Sequence, residues 1–459
     1  MTPRPTDPTD LSGLAAAVAR TRWADAPQPV RDRVVDLVAD CVAVAALGSG
    51  RAELQRLVAL HDRLTPPGPS SVLGSPRGWP ALSAMLLNAT ALAADQLQDG
   101  HRLARGHPAS HVVPAVLALA EHTDADSAEL LSAVLAGYEA GVRVGRAMGG
   151  TPAGVHDIGT WGQVAVAAAT ARLLAPGDAD AALRAIELAG SAVLLTDAHT
   201  VFAGHTGSHT FLGSSVQTGA AQGLAAVAGL AAAPGGLARH LGSVAASAWD
   251  PSPLAVDGAW ETFEVLGGYV KVHATCAHLH GVNDAVADLV AEGVRGADVD
   301  SVQVRAFAGG ATFDAVASGE LAARFSVPTT VAVALLDGRL DETTMIDERV
   351  RADDVRDLAA RVTVVHDPAL DTAYPSGRPA RVTAHLRDGS HREAGADRPR
   401  GDADRALSRD ELRAKASRLL KARFGDAGHD VLEAVHGLGA GMPVADLGRA
   451  IRRAGGDAP

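Results

Sequence analysis

Residues 95–114 read DQLQDGHRLARGHPASHVVP. Three histidines (His101, His107, His111), two arginines (Arg102, Arg105) and two aspartates (Asp95, Asp99) fall within twenty residues, and an apolar helical pattern follows at once. Pro108 suits the first position of that helix, where the missing N–H of proline costs nothing and its φ is already helical. His107 therefore stands at the helix entrance, with His111 one turn further along the same face. Exposed amides and the positive end of the helix favour a carboxylate at such a place. Arg102 and Arg105 offer the same group bidentate hydrogen bonds. Most of the remaining chain is alanine, valine, leucine and glycine, so this polar segment marks both a helix boundary and a candidate site.

The patterning on both sides is helical. Apolar periodicity predicts helices over 30–47, 80–97, 108–121, 127–148, 160–174, 180–195 and 214–232, several of them ended by glycine or proline. The character changes after about residue 268. Residues 301–307 (SVQVRAF), 361–365 (RVTVV) and 380–386 (ARVTAHL) alternate as strands, the last followed by the turn signal Asp388-Gly389. Helices fit 276–292 and 327–336 between them. The tail, 408–452, is helical again and opens on a capping box, Ser408 to Glu411. The expected fold is mainly α: a large all-helical domain made from both ends of the chain (1–267 and 401–459), with a smaller α+β domain (268–400) inserted as a lid. Residues 1–10 read as a disordered lead rich in Pro, Asp and Thr, without the basic and apolar regions of a signal peptide.

A chain of 459 residues exceeds one compact core. Its hydrophobic content is 47% but its aromatic content only 3%, so Ala, Val and Leu must fill the interior, and such small side chains let helices approach closely. A net charge of −12 argues against nucleic acid or an anionic membrane surface as partner. No run of about twenty apolar residues predicts a membrane span. Cys41 and Cys276 make no disulfide framework and are too few for an iron–sulfur cluster, which points to a reducing cytoplasm. The chain contains no G-x-G-x-x-G after a strand, no Walker A sequence and no G-x-S-x-G elbow, so nucleotide-dependent and serine-hydrolase chemistries have no support.

Three further segments carry polar chemistry. His156 lies in GVHDIGTWGQ (154–163), a glycine-rich turn entering an alanine-rich helix, where an imidazole works as acid or base near neutral pH with little tuning. GHTGSH (204–209) is a third polar loop. Lys271, in GGYVKVHATCAHLHG (267–281), is the only lysine ahead of Lys415 and stands in an apolar setting. A partly buried ammonium is costly unless paired, which makes Lys271 a candidate anion ligand. The neighbouring His273, Cys276, His278 and His280 match no zinc spacing and are read as structural or supporting. HPASH places two histidines at i, i+4 but lacks the glutamate of HExxH and a third ligand, so no metal is expected.

Several longer segments then point to a family: NATALAADQLQDGH (88–101), GHP (106–108), YEAGVRVGRAMG (138–149), VHDIGT (155–160), KVHATCAHLH (271–280), FSVPTTVAVALLDG (325–338) and DPALDTAYPSGRPARV (367–382). In order and spacing, over nearly the whole chain, they resemble the MmgE/PrpD family, which includes 2-methylcitrate dehydratases, cis-aconitate decarboxylases and iminodisuccinate epimerases. The resemblance implies a large helical domain, a smaller α+β lid, a homodimer, a cleft between the domains, and chemistry on small di- or tricarboxylates that needs no metal or other cofactor. It assigns His107, His156, Lys271 and Asp99 to the catalytic set. The chain departs from the family pattern at Gln96 and Gln98, where aspartates are usual, at Gly100 in place of threonine, at Ser208 in place of a second lysine, and at Thr329 in place of a tyrosine. Fewer charges imply a substrate other than 2-methylcitrate.

These observations converge on a cofactor-independent lyase, in the first place a dehydratase, acting beside a carboxylate of a small hydroxy-di- or tricarboxylate. His107 or His156 removes the proton alpha to the carboxylate, and the other donates to the leaving hydroxyl. Lys271 and Arg102 hold carboxylates and stabilise the enolate-like charge, with His101, His111 and Ser208 as further substrate-binding residues. Epimerisation or decarboxylation of a related acid uses the same residues. A metabolite-binding relative without catalysis and, more weakly, a metal hydrolase are the alternatives.

Overall fold

Alanine, valine and leucine at helical spacing build a body of long, closely packed helices. The computed structural model describes residues 10–456, so the disordered lead expected over residues 1–10 falls, Asp10 apart, outside the described residues. The protein is 60% helical and 9% strand. At its centre runs the helix Trp161–Leu174, buried from Trp161 through Leu173. The helix Ser127–Ala147 reaches it through Gly137 and Gly141, where a Cβ would come within 2.6 Å of the Ala169 Cβ and 2.3 Å of the Ala165 Cβ. The helix His209–Val227 reaches it through Gly219 and Gly223 in the same way. Around these three pack Gln28–Ser49, Ala81–Ala93, Pro108–Thr123 and Ala179–Gly190. The tail helix Arg409–Phe424, opened by the capping box Ser408–Glu411, lies on Gln28–Ser49.

A four-stranded sheet occupies the later part of the chain. Its order is His391–Ala396, Ala380–Leu386, Val299–Ala306, Val362–His366, antiparallel except for the last pair. Val304 stands opposite Val382 on one side and Val364 on the other. The helices His280–Ala291 and Val327–Asp337 pack on this sheet. Buried apolar side chains gather in two large clusters. One takes residues from Leu11 to Ala274 and again from Leu412 to Ala454, and the other runs mainly from Cys276 to Ala384.

The elements depart from expectation where tertiary partners intervene. The helix after Pro80 stops at Ala93 and not at Leu97. There the Asp95 carboxylate is taken by Arg51 and Arg324, and Gln96 turns to φ 52°. The helix expected to reach 195 ends at Gly190, where a Cβ would lie 2.4 Å from Leu237. The helix expected over 214–232 starts five residues earlier, at His209, and ends at Val227 ahead of Gly229 (φ 95°). The first turn of 276–292 is a separate 3₁₀ turn, Ala277–Leu279. The strand His391–Ala396 was not foreseen, because its residues are mostly exposed and show no alternation of apolar and polar side chains. No helix among the described residues is long and apolar enough to cross a membrane.

Two miniature ladders set the loops that matter next. Gly100–His101 pairs with Gly268–Tyr269, and Val155–His156 pairs with Thr196–Asp197. The first brings the segment before Pro108 beside the segment leading to Lys271. Arg324 adds a tie from the later part of the chain, donating to the Asp95 and Ala274 carbonyls at 2.9 and 3.1 Å.

Candidate active site

Asp99 organises the loop ahead of Pro108 from both its side chain and its backbone. Its carboxylate accepts the N–H groups of Ala109 and Ser110, each at 2.9 Å, satisfying amides that the helix cannot. Its carbonyl accepts the Nδ1–H of His107 at 2.6 Å. A carbonyl can only accept, so Nδ1 carries the proton and Nε2 keeps a lone pair. Enclosure, reinforced by the Lys271 ammonium, holds the His107 pKa well below the ordinary imidazole value. His107 is therefore a neutral base in waiting.

His156 takes the opposite tautomer. Its Nδ1 accepts the backbone N–H of Ile158 at 3.3 Å, which leaves the proton on Nε2. Burial lowers its pKa, and the Asp157 carboxylate, 3.2 Å from Nδ1, opposes that shift. Lys271 is 1% exposed, and its Nζ donates to the Gln96 carbonyl at 2.9 Å. The left-handed backbone at Gln96 thus belongs to the loop that presents this acceptor. Burial holds the Lys271 pKa down to about 8, so the ammonium is charged at neutral pH with only one of its three N–H groups committed to Gln96.

His107, His156 and Lys271 line one cavity, together with Arg105, Tyr374 and Arg378. It adjoins a second chamber between Met148, Trp161 and Phe202, with which it shares Arg105, His156 and Tyr374. Four of the seven phenylalanines in the chain (Phe202, Phe307, Phe313, Phe325) gather with His278 and Tyr374 along one side, in ring contacts of 5.2–6.3 Å. Apolar walls of this kind strengthen every charge interaction inside.

The other sequence-derived residues stand outside this lining. Asp99 is wholly buried as the helix cap described above. Arg102 is drawn away by the Ser376 carbonyl and by Asp402 and Asp404, at 3.4 and 3.2 Å. His101 is buried beside Glu264, and burial drives its pKa to about 3. His111 faces two backbone carbonyls, those of His107 at 2.7 Å and Ile158 at 2.8 Å. Ser208 is buried in the turn before the helix His209–Val227.

The sequence did not single out Tyr374 and Arg378, and it read Cys276 and His278 as structural or supporting; all four line the cavity. His278 is partly buried, and desolvation together with Arg378 takes its pKa to about 3. Arg105, named beside Arg102 as a clamp, is the one of the pair that stays in the cleft; its guanidinium lies 5.2 Å from the Tyr374 ring. Among the described residues no group of three or more His, Cys, Asp or Glu is arranged to hold a metal.

Residues 12–251 match the MmgE/PrpD N-terminal domain, and residues 273–437 match the MmgE/PrpD C-terminal domain. The chain belongs to the MmgE/PrpD family. It is an enzyme of the MmgE/PrpD type, lyase-like in class. It is similar to a cis-aconitate decarboxylase of Aspergillus terreus, with 26% identity over 445 residues covering 87% of this chain and 88% of that protein. It is also similar to the cis-aconitate decarboxylase-like protein oryM of Aspergillus oryzae, with 32% identity over 178 residues, 36% of this chain and 37% of that one. In this MmgE/PrpD chain the GHP and VHDIGT segments supply two of the three cleft histidines, and KVHATCAHLH supplies the lysine and the third, His278.

Proposed function

We propose that this protein is a cofactor-independent lyase that removes a proton alpha to a carboxylate of a small di- or tricarboxylic acid and expels a β-hydroxyl. The observation that carries this reading is the pairing of two histidines in complementary tautomers, His107 with a free Nε2 lone pair and His156 with an Nε2–H, in one cleft with the Lys271 ammonium. The substrate carboxylate lies on Lys271. The His107 Nε2 takes the alpha proton, and the C–H electron pair spreads into the carboxylate as enolate charge held by Lys271. That charge then forms the double bond as hydroxide leaves, hydrogen-bonded by the His156 Nε2–H, and departs as water with the proton returned from the His107 imidazolium. The carboxylate offsets the repulsion between Lys271 and the imidazolium formed at His107. Every role is filled by a side chain, so the reaction needs no metal. Asp99, whose carboxylate caps the helix and whose carbonyl accepts the hydrogen bond of the His107 Nδ1–H, is a positioning residue in this scheme.

Decarboxylation is the second reading, favoured by the similarity to the Aspergillus terreus enzyme along most of the chain. It requires an acid to protonate the carbon that loses CO₂, whereas both histidines are held toward the neutral form. Epimerisation shares the first step and ends with reprotonation on the opposite face. The experiment is proton NMR in D₂O with citrate, methylcitrate, cis-aconitate and amino- and hydroxy-dicarboxylates, with and without EDTA. Loss of the alpha proton with a new olefin signal, unaffected by EDTA, is expected. Release of CO₂ from cis-aconitate replaces dehydration by the second reading, and absence of any exchange or turnover removes both.

Single substitutions His107→Ala and His156→Ala are each expected to lower turnover about 10²-fold or more while leaving the circular dichroism spectrum unchanged; full activity in either variant removes that residue from the scheme. The family resemblance also supports a homodimer, and two free buried cysteines fit a reducing cytoplasm. Sedimentation equilibrium should return twice the 46.7 kDa chain mass; a single-chain mass discards the dimer.

A further inference from the structure

We propose that Arg378 is a specificity-determining residue, the anchor for a second carboxylate of the substrate. This rests on the reading of the cleft as a carboxylic-acid site. Arg378 is 5% exposed and lines the same cavity as Lys271 and His107. Its guanidinium lies 5.3 Å from the Tyr269 ring. Among the described residues its Nε has no hydrogen-bond partner and no carboxylate forms an ion pair with it. Arg102, by comparison, is satisfied by Ser376, Asp402 and Asp404, so the loop that carries Arg378 does not lack acceptors. The nearby Asp402 carboxylate pairs with Arg102 at 3.4 Å.

A guanidinium taken out of water without a partner is strongly unfavourable, and the fold keeps one in a concave site beside a second buried cation. Asp157 is the one carboxylate among the described residues lining that cavity, and it stands next to His156. The local charge is therefore positive and incompletely matched. A planar, five-donor group held by a ring stack is suited to bidentate recognition of a carboxylate. Lys271, a compact ammonium beside the His107 base, suits the carboxylate at the reacting carbon. Arg378 then takes the far carboxylate, so the preferred substrates carry two or more acid groups, and monocarboxylates bind at Lys271 alone.

The test is isothermal titration of the full-length protein with tricarballylate, glutarate and butyrate, which differ by successive loss of one carboxylate. Wild-type protein is expected to bind glutarate at least tenfold more tightly than butyrate. In Arg378→Gln that gap falls to within about twofold while butyrate affinity is unchanged, and Arg378→Lys recovers part of it. Thermal melting of both variants establishes that they are folded. The proposal is overturned if wild type does not distinguish the two acids, if Arg378→Gln leaves the gap intact, or if it weakens both acids equally. Binding is read here without turnover. A gap that depends on Arg378 in a protein that exchanges no alpha proton keeps the anchor and removes the lyase. Exchange that persists with a gap indifferent to Arg378 does the opposite.

Discussion

At the scale of single residues, the chemistry is set by what holds each titratable group. His107 is neutral because it is enclosed beside an ammonium, and its tautomer follows from the Asp99 carbonyl. Lys271 is charged at neutral pH but titrates near 8, because burial penalises the ammonium. Below that value the lysine attracts a carboxylate, and above it the attraction is lost. The pH profile of kcat/KM is therefore expected to stay flat through the ordinary imidazole range and to fall about tenfold per unit above pH 8. Lys271→Arg keeps a cation that does not titrate, so any activity it retains should lack the alkaline limb. A limb unmoved in that variant assigns the ionisation to another group.

At the scale of elements, close packing decides the architecture. With few aromatic residues available, the helices gain contact by approaching one another, and glycine is the residue that permits it. Gly137, Gly141 and Gly145 recur every four residues on Ser127–Ala147 and so share one face. A Cβ at Gly141 would lie 2.3 Å from the Ala165 Cβ and 3.2 Å from the Ala165 Cα, neither of which can swing away. Gly141→Ala should cost about 1–3 kcal/mol by overpacking, against a gain in helix propensity below about 1 kcal/mol. A urea titration reads the difference, and an unchanged midpoint would show that the helix pair is free to separate. The periodicity of these helices is legible in the sequence because it is local. Their ends are less so: Asp95 and Gln96 leave the helical path for partners far along the chain, and nothing near them in sequence signals it.

At the scale of the whole molecule, the loop bearing Asp95 and Gln96 is held by charges from both parts of the fold. Asp95 receives Arg51 from the helical body and Arg324 from the later α+β part, and Glu320 accepts from both arginines. The next residue, Gln96, presents its carbonyl to Lys271. Removing one member of such a buried network leaves a charge unmatched. Arg324→Met is expected to destabilise by about 3–5 kcal/mol in denaturant unfolding. It should also lower kcat/KM at temperatures where the variant remains folded, because the Lys271 acceptor shifts. Wild-type kcat/KM in a folded, destabilised variant would confine the network to stability.

The sequence by itself determined the helical body, the later α+β part, the family, and the three residues His107, His156 and Lys271 as the ones to follow. Each of these is carried by short-range information: periodicity, a proline at a helix start, a lone lysine in apolar surroundings, and segments in a recurring order. Only the tertiary structure decided which charges face the cleft. Arg102 and Arg105 are three residues apart and read alike, yet Asp404, some three hundred residues later, draws the first away while the second stays. Asp99 becomes a helix cap because the amides of Ala109 and Ser110 come to it. Arg378 lies in the site with its guanidinium 5.3 Å from the Tyr269 ring. The direction of a long charged side chain depends on which partners the fold brings within a few ångströms, and no local pattern records them.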